Sequence, residues 1–149
     1  MVQQENDRAD ISELQVILKE LLFKETNIEF AYVFGSQVKK THRFKSDLDI
    51  AVFFNREPTL MEIGRIVSEL ERSIDLEIDL VSLNNLYNKN PELAYNIISS
   101  GILVLSKNNQ LLTKYKSSVF IAYLDIKPML SIYHDKFLQR LKNNRFAER

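Results

Sequence analysis

The chain has 149 residues, which at roughly 100–200 residues per domain allows one compact domain with an appended element. Hydrophobic residues make up 45% of the sequence and charged residues 27%, a composition that is ordinary for a soluble globular domain and gives no reason to expect disorder. Cysteine is absent, which excludes disulfides, thiolate metal sites and cysteine nucleophiles.

The charges balance. Lysine and arginine number 20, aspartate and glutamate also 20, so no overall field attracts nucleic acid or an anionic membrane. No apolar run reaches the ~20 residues that span a bilayer, and the polar start lacks the apolar core of a secretion signal. We therefore expect a cytoplasmic protein that binds neither membrane nor nucleic acid directly.

The first elements are one helix and one strand. Apolar residues at helical spacing predict an amphipathic helix over residues 12–24, with Asp10 or Ser12 as its cap. The period then changes to two over Ile28–Gly35, which predicts a strand. One face of this strand is expected to carry Ile28, Phe30, Tyr32 and Phe34.

A second and a third strand follow, with a helix between them. Asp47–Phe54 alternates with period two, and Leu76–Val81 does the same after the helix. Pro58 stops the second strand, and Thr59 is placed to cap the helix, whose apolar stripe extends to Ile74. Each strand carries its acidic residues at odd-numbered positions, so they share one face of that strand: Asp47 and Asp49 on the second, Glu77 and Asp79 on the third.

The last part of the predicted sheet is short. Asn90 resembles a cap before a helix over Pro91–Ser100, and Ile102–Ser106 resembles an edge strand. Strands and helices alternate over most of the chain, which predicts an α/β fold with a mixed sheet of about four strands flanked by helices. We assign this domain to residues 1–107.

Residues 108–149 differ in kind, because one apolar stripe at helical spacing runs through them and would extend roughly 45 Å if unbroken. Pro128 predicts a kink or a restart of this helical extension. The simplest interpretation is packing on its own domain, which we favour for the first half. The tyrosine-rich remainder ends in a basic run, Lys136–Arg149, and is able to reach a partner or a second copy.

Three carboxylates carry the chemical signal: Asp47 and Asp49 on the second strand and Asp79 on the third. Residues two apart on a strand point to the same side about 6.6–6.8 Å from each other, and a neighbouring strand lies about 4.8 Å away. Three uncompensated negative charges in such a volume repel strongly. Divalent cations resolve the conflict, and oxygen-only ligands point to Mg²⁺ or Mn²⁺.

Two such ions would clamp the attacking and leaving oxygens of a phosphoryl displacement. Asp47 and Asp49 are suited to hold both, while Asp79 completes the site or takes the proton of the nucleophile. Gly35 and Ser36 suit a phosphate cradle, because glycine lets backbone N–H groups approach phosphate oxygens. Each motif alone is commonly a turn or a solvated strand edge, and it is their order and shared face that indicate a site.

The sequence resembles a known family in these motifs. Phe34-Gly35-Ser36 and the segment Ser46–Val52, with Ile78–Val81 as the third-acid strand, are similar to the signature of the minimal nucleotidyltransferases of the DNA polymerase β-like superfamily. The segment Tyr123–Pro128 also resembles one found in many members. The resemblance covers residues 11–140.

This resemblance implies transfer of AMP from ATP to a hydroxyl, with Ser36 on phosphate and the three aspartates on metal. Bacterial members are commonly antitoxins paired with a HEPN-domain ribonuclease toxin, which some adenylylate on tyrosine. Two residues depart from the family pattern, Gln37 and Lys40. Lys39 and Lys40 belong to a basic loop beside the acids, which either binds phosphate or an acidic partner or is simply solvated.

Three alternatives to a protein adenylyltransferase stay open. The chain could neutralise a toxin by binding alone, with the acids unused. A small-molecule nucleotidyltransferase, such as one modifying an antibiotic, ranks lower because no second domain is evident to enclose the acceptor. Template-directed polymerisation ranks lowest, since zero net charge leaves little to hold a duplex.

Overall fold

The structure is a computed structural model that describes residues 2–35 and 47–147, with side chains over 12–35 and 47–143. Helices and strands alternate through the first part of the chain, and one long helix ends it. In chain order the elements are α1 (Val2–Phe23), β1 (Ile28–Phe34), β2 (Leu48–Phe54), α2 (Leu60–Ile74), β3 (Ile78–Ser82), α3 (Leu86–Lys89), α4 (Pro91–Ser100), β4 (Ile102–Ser106) and α5 (Asn109–Ala147).

The four strands form one mixed sheet in the order β3-β2-β1-β4. β1 pairs antiparallel with both β2 and β4, while β2 pairs parallel with β3 through the crossover helix α2. The predicted α/β class, the mixed sheet of four strands and the edge position of β4 are confirmed. This order places β2, which carries Asp49, in the interior of the sheet.

Each face of the sheet has its own apolar layer. Leu18 and Leu22 of α1 pack with Ile66 and Leu70 of α2 against one face. The other face packs against α3, α4 and the first part of α5, with these buried residues among them: Leu86, Ala94, Ile97, Leu112, Tyr115 and Val119. The sheet is thus covered on both sides, as a layered α/β fold requires.

The predicted caps of the two internal helices are confirmed. The Thr59 hydroxyl accepts from the backbone N–H of Glu62, and the Glu62 carboxylate accepts from the backbone N–H of Thr59. This reciprocal arrangement satisfies two backbone donors at the start of α2. At α4 the Asn90 side chain accepts from the Leu93 N–H, and Pro91 occupies the first turn.

The start of α1 was predicted wrongly. The helix begins at Val2, ten residues before the predicted start, so neither Asp10 nor Ser12 is its cap. Residues 2–10 contain neither proline nor glycine, and nothing in their backbone chemistry ends a helix. The apolar periodicity marked only the part of α1 that packs on the sheet.

One strand face was also predicted wrongly. A register irregularity lies between Ile28 and Phe30, where Ile28 pairs with Phe54 but Phe30 pairs with Phe53. Ile28 therefore packs with the α1 and α2 layer, while Phe30 and Tyr32 pack with the opposite layer. A bulge shifts the alternation by one residue, which a strict period of two does not anticipate.

The long helix does not break where a restart was predicted. α5 runs as one helix through Pro128, so the loss of one backbone hydrogen bond does not end it there. Its first part is buried against the domain, as expected, but every side chain from Ser131 to Asn143 is exposed. Sequence reasoning also missed α3, a single turn. Within residues 2–35 and 47–147, no helix is both long and apolar enough to cross a membrane.

Two buried tyrosines of the same layer provide a matched test of packing. The Tyr115 hydroxyl donates to the Leu83 carbonyl at 2.7 Å, whereas the buried Tyr32 hydroxyl has no partner among the described residues. We expect Tyr115→Phe to lower the free energy of unfolding by about 1 kcal/mol, because it removes a buried hydrogen bond and leaves the Leu83 carbonyl with the Leu86 N–H as its donor. Tyr32→Phe, which deletes the same atom, should leave stability unchanged or raise it. Urea unfolding measures both, and equal losses would contradict the assignment.

Candidate active site

The candidate site lies where β1 ends and β2 and β3 begin. Because β1 and β2 are antiparallel, the last residue of β1, Phe34, pairs with Asp49 near the start of β2. Because β2 and β3 are parallel, Asp49 in turn pairs with Asp79 near the start of β3. Three adjacent strands therefore bring Phe34, Asp49 and Asp79 into one row across the sheet.

The three predicted acids share one side of this edge. Asp47 immediately precedes β2 and lies two residues before Asp49, so the two side chains point the same way. Asp79 is the direct register partner of Asp49 on the neighbouring strand. Asp49 is half-buried, while Asp47 and Asp79 are exposed. The predicted convergence of two strands is thus present in the backbone.

The electrostatics agree with this placement. The pKa of Asp49 is raised, first by its burial and then by the negative charges of Asp79 and Asp47. No salt bridge within the described part of the chain involves any of the three acids. The site therefore carries negative charge that no described lysine or arginine neutralises.

A fourth acid, Glu77, belongs to the same cluster. The pKa of Glu77 is raised because its carboxyl shares a hydrogen bond with Asp47 and is repelled by that charge. Its backbone carbonyl accepts from the Leu48 N–H at 2.8 Å, which ties the start of β3 to the start of β2. The period-two pattern of the third strand places Glu77 on the same face as Asp79, so the sequence could have indicated Glu77, but we assigned it no role there.

Glu71 of α2 helps to position the edge strand. One of its carboxylate oxygens accepts from the backbone N–H of Ile78 at 3.1 Å, at the residue before Asp79. The edge strand β3 has a sheet neighbour on one side only, so this contact gives its first N–H a partner. Nothing in the sequence pattern indicated this contact.

Gly35 lies directly against the central acid. Its backbone adopts a φ of +83°, and a Cβ built on it would lie 2.2 Å from the Asp49 Oδ2 atom. Both the left-handed conformation and the close approach require a residue without a side chain. The end of β1 is therefore adjacent to the central acid.

Three predicted nucleotide-binding residues, Ser36, Lys39 and Lys40, lie outside the described residues. The same holds for the rest of the basic loop.

The acids fit a divalent cation by their chemistry. All of their donor atoms are carboxylate oxygens, which Mg²⁺ and Mn²⁺ prefer, and their mutual repulsion is what a cation would relieve. Among residues 12–35 and 47–143, no group of three or more acidic or histidine side chains is already arranged to hold an ion.

The family of this chain is established by its sequence. The family model described as polymerase beta, nucleotidyltransferase matches residues 17–110, a range that includes Gly35 and all three aspartates. The chain belongs to this nucleotidyltransferase family, and it is by this membership an enzyme of nucleotidyl transfer. The resemblance drawn from the strand motifs is thereby confirmed.

Known relatives and structures agree with this class. A curated protein of Methanocaldococcus jannaschii, named "Putative protein adenylyltransferase MJ0435", is 28% identical over 96 residues, covering 64% of this chain and 99% of that protein. A crystal structure of a toxin–antitoxin with AMP-PNP contains a chain with a TM-score of 0.67 and 20% identity, covering 83% of this chain and 96% of the other.

A further similar structure contains a tri-AMPylated Shewanella oneidensis HEPN toxin in complex with MNT antitoxin. The TM-score is 0.67 at 17% identity, and the match covers 85% of this chain and 98% of the other. At this level of identity the likeness demonstrates the shared fold.

Proposed function

We propose that this chain transfers AMP from ATP to a hydroxyl group, a tyrosine hydroxyl, of a HEPN-domain toxin and thereby acts as its antitoxin. One observation carries the proposal: Asp49 and Asp79 are register partners, with Asp47 on the same side and no described cation to neutralise them. Unneutralised acids in a row lower the stability of the fold, so their presence beside Gly35 points to a functional site, here one for nucleotidyl transfer.

The three aspartates have distinct tasks in this proposal. Asp47 and Asp49 hold two Mg²⁺ ions, since each carboxylate offers two oxygens. When bound, these ions stabilise the attacking and leaving oxygens of the displacement. Asp79 either completes the ligand set or accepts the proton of the acceptor hydroxyl.

The reaction balances without any further reactant. The acceptor oxygen forms a bond to the α-phosphorus of ATP, and the bond from that phosphorus to the bridging oxygen breaks. Pyrophosphate leaves, and the hydroxyl proton passes to Asp79 or to water. Asp49, whose pKa burial and neighbouring charges raise, is the acid whose ionised form gains most from a nearby cation.

The triphosphate is held at the end of β1. Gly35 has no side chain to separate its backbone from a phosphate oxygen, and it lies against the Asp49 carboxylate. We assign phosphate contacts to Ser36 and to the basic residues Lys39 and Lys40 that follow it. In this scheme residues 1–107 form the catalytic domain and residues 108–149 the helical extension.

The choice of a protein acceptor rests on the relatives. A similar chain is found in a complex whose HEPN toxin is tri-AMPylated, and the curated relative is named for adenylyl transfer to protein. We extend both properties to this chain, together with a cytoplasmic location, where ATP is available. The site itself supplies the chemistry, and the relatives supply the class of acceptor.

Incubation with ATP, Mg²⁺ and the HEPN-domain protein of the adjacent reading frame tests the proposal. We expect intact-mass spectrometry to find one or more added AMP groups on the toxin and peptide mapping to place them on tyrosine. EDTA should abolish the addition, because the acids alone cannot stabilise the leaving group. An unmodified toxin after prolonged incubation would contradict the proposal.

Neutralisation by binding alone is a second candidate function. It is favoured by one observation: among residues 12–35 and 47–143, no three acidic or histidine side chains are already arranged to hold an ion. The double variant Asp47→Asn/Asp49→Asn discriminates between the two functions in a growth assay with the toxin. Rescue of growth by this variant would support binding alone, whereas its failure while the complex still forms would support catalysis.

A further inference from the structure

The direction of α5 follows from the strand that precedes it. β4 begins at Ile102, which pairs with Val33 near the acids, and ends at Ser106, which pairs with Phe30 farther along the sheet. α5 begins at Asn109, and its first part packs on the same face of the sheet as α4. α5 therefore runs back toward the end of the sheet that carries the acids, and Tyr123 stacks on Tyr95 of α4 at 3.9 Å.

α4 leads toward the candidate active site. It ends at Ser100 with Gly101 as its C-cap, and the next residue, Ile102, pairs with Val33. Val33 precedes Phe34, the register partner of Asp49. Gly101 thus lies at the same end of the sheet as the acids.

α5 therefore extends past this end of the sheet. From Tyr95 to Gly101, the C-cap of α4, is six residues, or about 9 Å at 1.5 Å per residue. The same advance along α5 from Tyr123 reaches Met129. From Ser131 to Asn143 every side chain is exposed, as expected for a helix that has passed the end of the domain.

The projecting segment, which we define as Met129–Leu141, exposes apolar surface. Phe137 is 58% exposed and Tyr133 is 68% exposed. Contiguous exposed apolar patches are uncommon on the surfaces of monomeric proteins and mark interaction sites. The same segment presents these other exposed apolar side chains: Met129, Ile132, Leu138 and Leu141. Most of the stability of a helix in a protein comes from packing of its apolar face, and these exposed apolar side chains pack against nothing in the described part of the domain.

Basic side chains lie within this apolar surface. Lys136 and Arg140 line one groove together with Met129, Ile132, Tyr133 and Phe137. From Met129 to Leu141 the sequence has two basic residues and one acidic residue, a formal charge of +1 with histidine neutral. The matching surface must therefore be apolar with carboxylates set among its contacts.

We propose that the projecting segment is the docking surface for the protein that accepts AMP, through an apolar face of that partner flanked by aspartate or glutamate. The inference rests on the proposed function and adds the place where the acceptor binds. The helix leaves the domain at the end that carries Asp47, Asp49 and Asp79, so a partner docked on it lies beside the acids.

The basic side chains of the segment disfavour a second copy. Two copies side by side would bring Lys136 and Arg140 of one copy near those of the other, with Asp135 as the one acidic residue of each segment to offset them. A membrane surface is disfavoured because Lys136 and Arg140 share the groove with the apolar side chains, instead of lying on the opposite face as in interfacial helices.

The test measures docking separately from catalysis. The full chain is titrated with the HEPN-domain protein of the adjacent reading frame by calorimetry, without ATP. Ile132→Glu/Phe137→Glu should raise the Kd about 100-fold, because it places unpaired charges in the contact. Lys136→Glu/Arg140→Glu should weaken binding by at least 10-fold without removing any apolar group.

Leu60→Glu/Met61→Glu is the matched control, since both residues are 86% exposed at the start of α2, and its Kd should equal that of the parent chain. Circular dichroism melts show whether each variant is folded. Unchanged Kd values for both α5 variants, or no binding by the parent chain, would overturn the proposal.

Three further outcomes bear on the occupant and on the function. A parent chain that is dimeric alone and monomeric as Ile132→Glu/Phe137→Glu would overturn the proposal in favour of a second copy. Sedimentation with anionic vesicles, lost in the same variant, would overturn it in favour of a membrane. Docking by Asp47→Asn/Asp49→Asn with the parent Kd supports it even where no AMP is transferred, so failure of the chemistry and failure of docking are distinguishable.

Discussion

Asp49→Asn should lower the rate of AMP transfer about 1,000-fold, which corresponds to about 4 kcal/mol of transition-state stabilisation. Asp49 is the central member of the acidic row, between Phe34 of β1 and Asp79 of β3. An amide of the same size leaves the strand and its packing intact but removes one negative charge and one ligand oxygen. Initial rates of toxin labelling with radioactive ATP measure the effect.

Glu92→Gln provides the control for this change. Glu92 is exposed at the start of α4, the end of that helix away from the acids, and the same change of a carboxylate to an amide should leave the rate within about twofold, since surface changes away from a site have small effects. Comparable rates for the Asp49→Asn chain and the parent chain would remove the three acids from the reaction.

The same variant should be more stable than the parent chain in the absence of metal. The charge on Asp49 is half-buried and lies beside the charges of Asp79 and Asp47, so its removal relieves repulsion that the folded state alone experiences. The thermal midpoint without ligand should rise while the reaction is lost. Opposite effects on stability and rate are typical of a site and not of a structural residue.

Gly35→Ala should damage both the fold and the reaction. The added methyl group would lie 2.2 Å from the Asp49 Oδ2 atom, and the φ of +83° is one that alanine adopts only at a cost. We expect the free energy of unfolding to fall by about 2 kcal/mol and the rate to fall about 100-fold, because displacement of a reacting group by about 1 Å has effects of that size. Chemical denaturation and labelling rates measure the two effects.

Gly64→Ala is the matched control for that substitution. Gly64 lies within α2, and a Cβ built on it has no heavy atom within 4 Å. The same methyl group should here raise the free energy of unfolding by about 0.5–1 kcal/mol, since alanine favours the helix over glycine. A Gly35→Ala chain as stable and active as the Gly64→Ala chain would show that the end of β1 has no role in the site.

Much of the site could be predicted from strand parity alone. The period of two put Asp47 and Asp49 on one side. The crossover helix makes β2 and β3 parallel, so the start of β3, with Asp79, lies beside the start of β2. The antiparallel pairing of β1 with β2 brought Gly35 to the same edge. These inferences needed only local patterns and the spacing between strands.

Other features depend on contacts that no local pattern records. β1 pairs with two neighbours, and its register is irregular against both of them, after Ile28 on β2 and after Ala31 on β4. Glu71 reaches Ile78 across a turn, and the role of Glu77 depends on its distance from Asp47 in the folded chain. α5 also continues through Pro128, so the free energy gained by the rest of the helix exceeds the cost of one internal proline. A local pattern around the proline does not record that sum.

Because α5 is unbroken, each residue along it both advances the helix and rotates the next side chain about the helix axis by a fixed amount. Its early turns are fixed in the domain by Leu112 and Val119, so the angular position of every later turn is set by counting residues. One inserted residue would rotate everything beyond it by about 100°, whereas seven would restore the orientation to within about 20° and add roughly 10 Å of length. Natural relatives that lengthen this helix are therefore expected to do so by whole heptads.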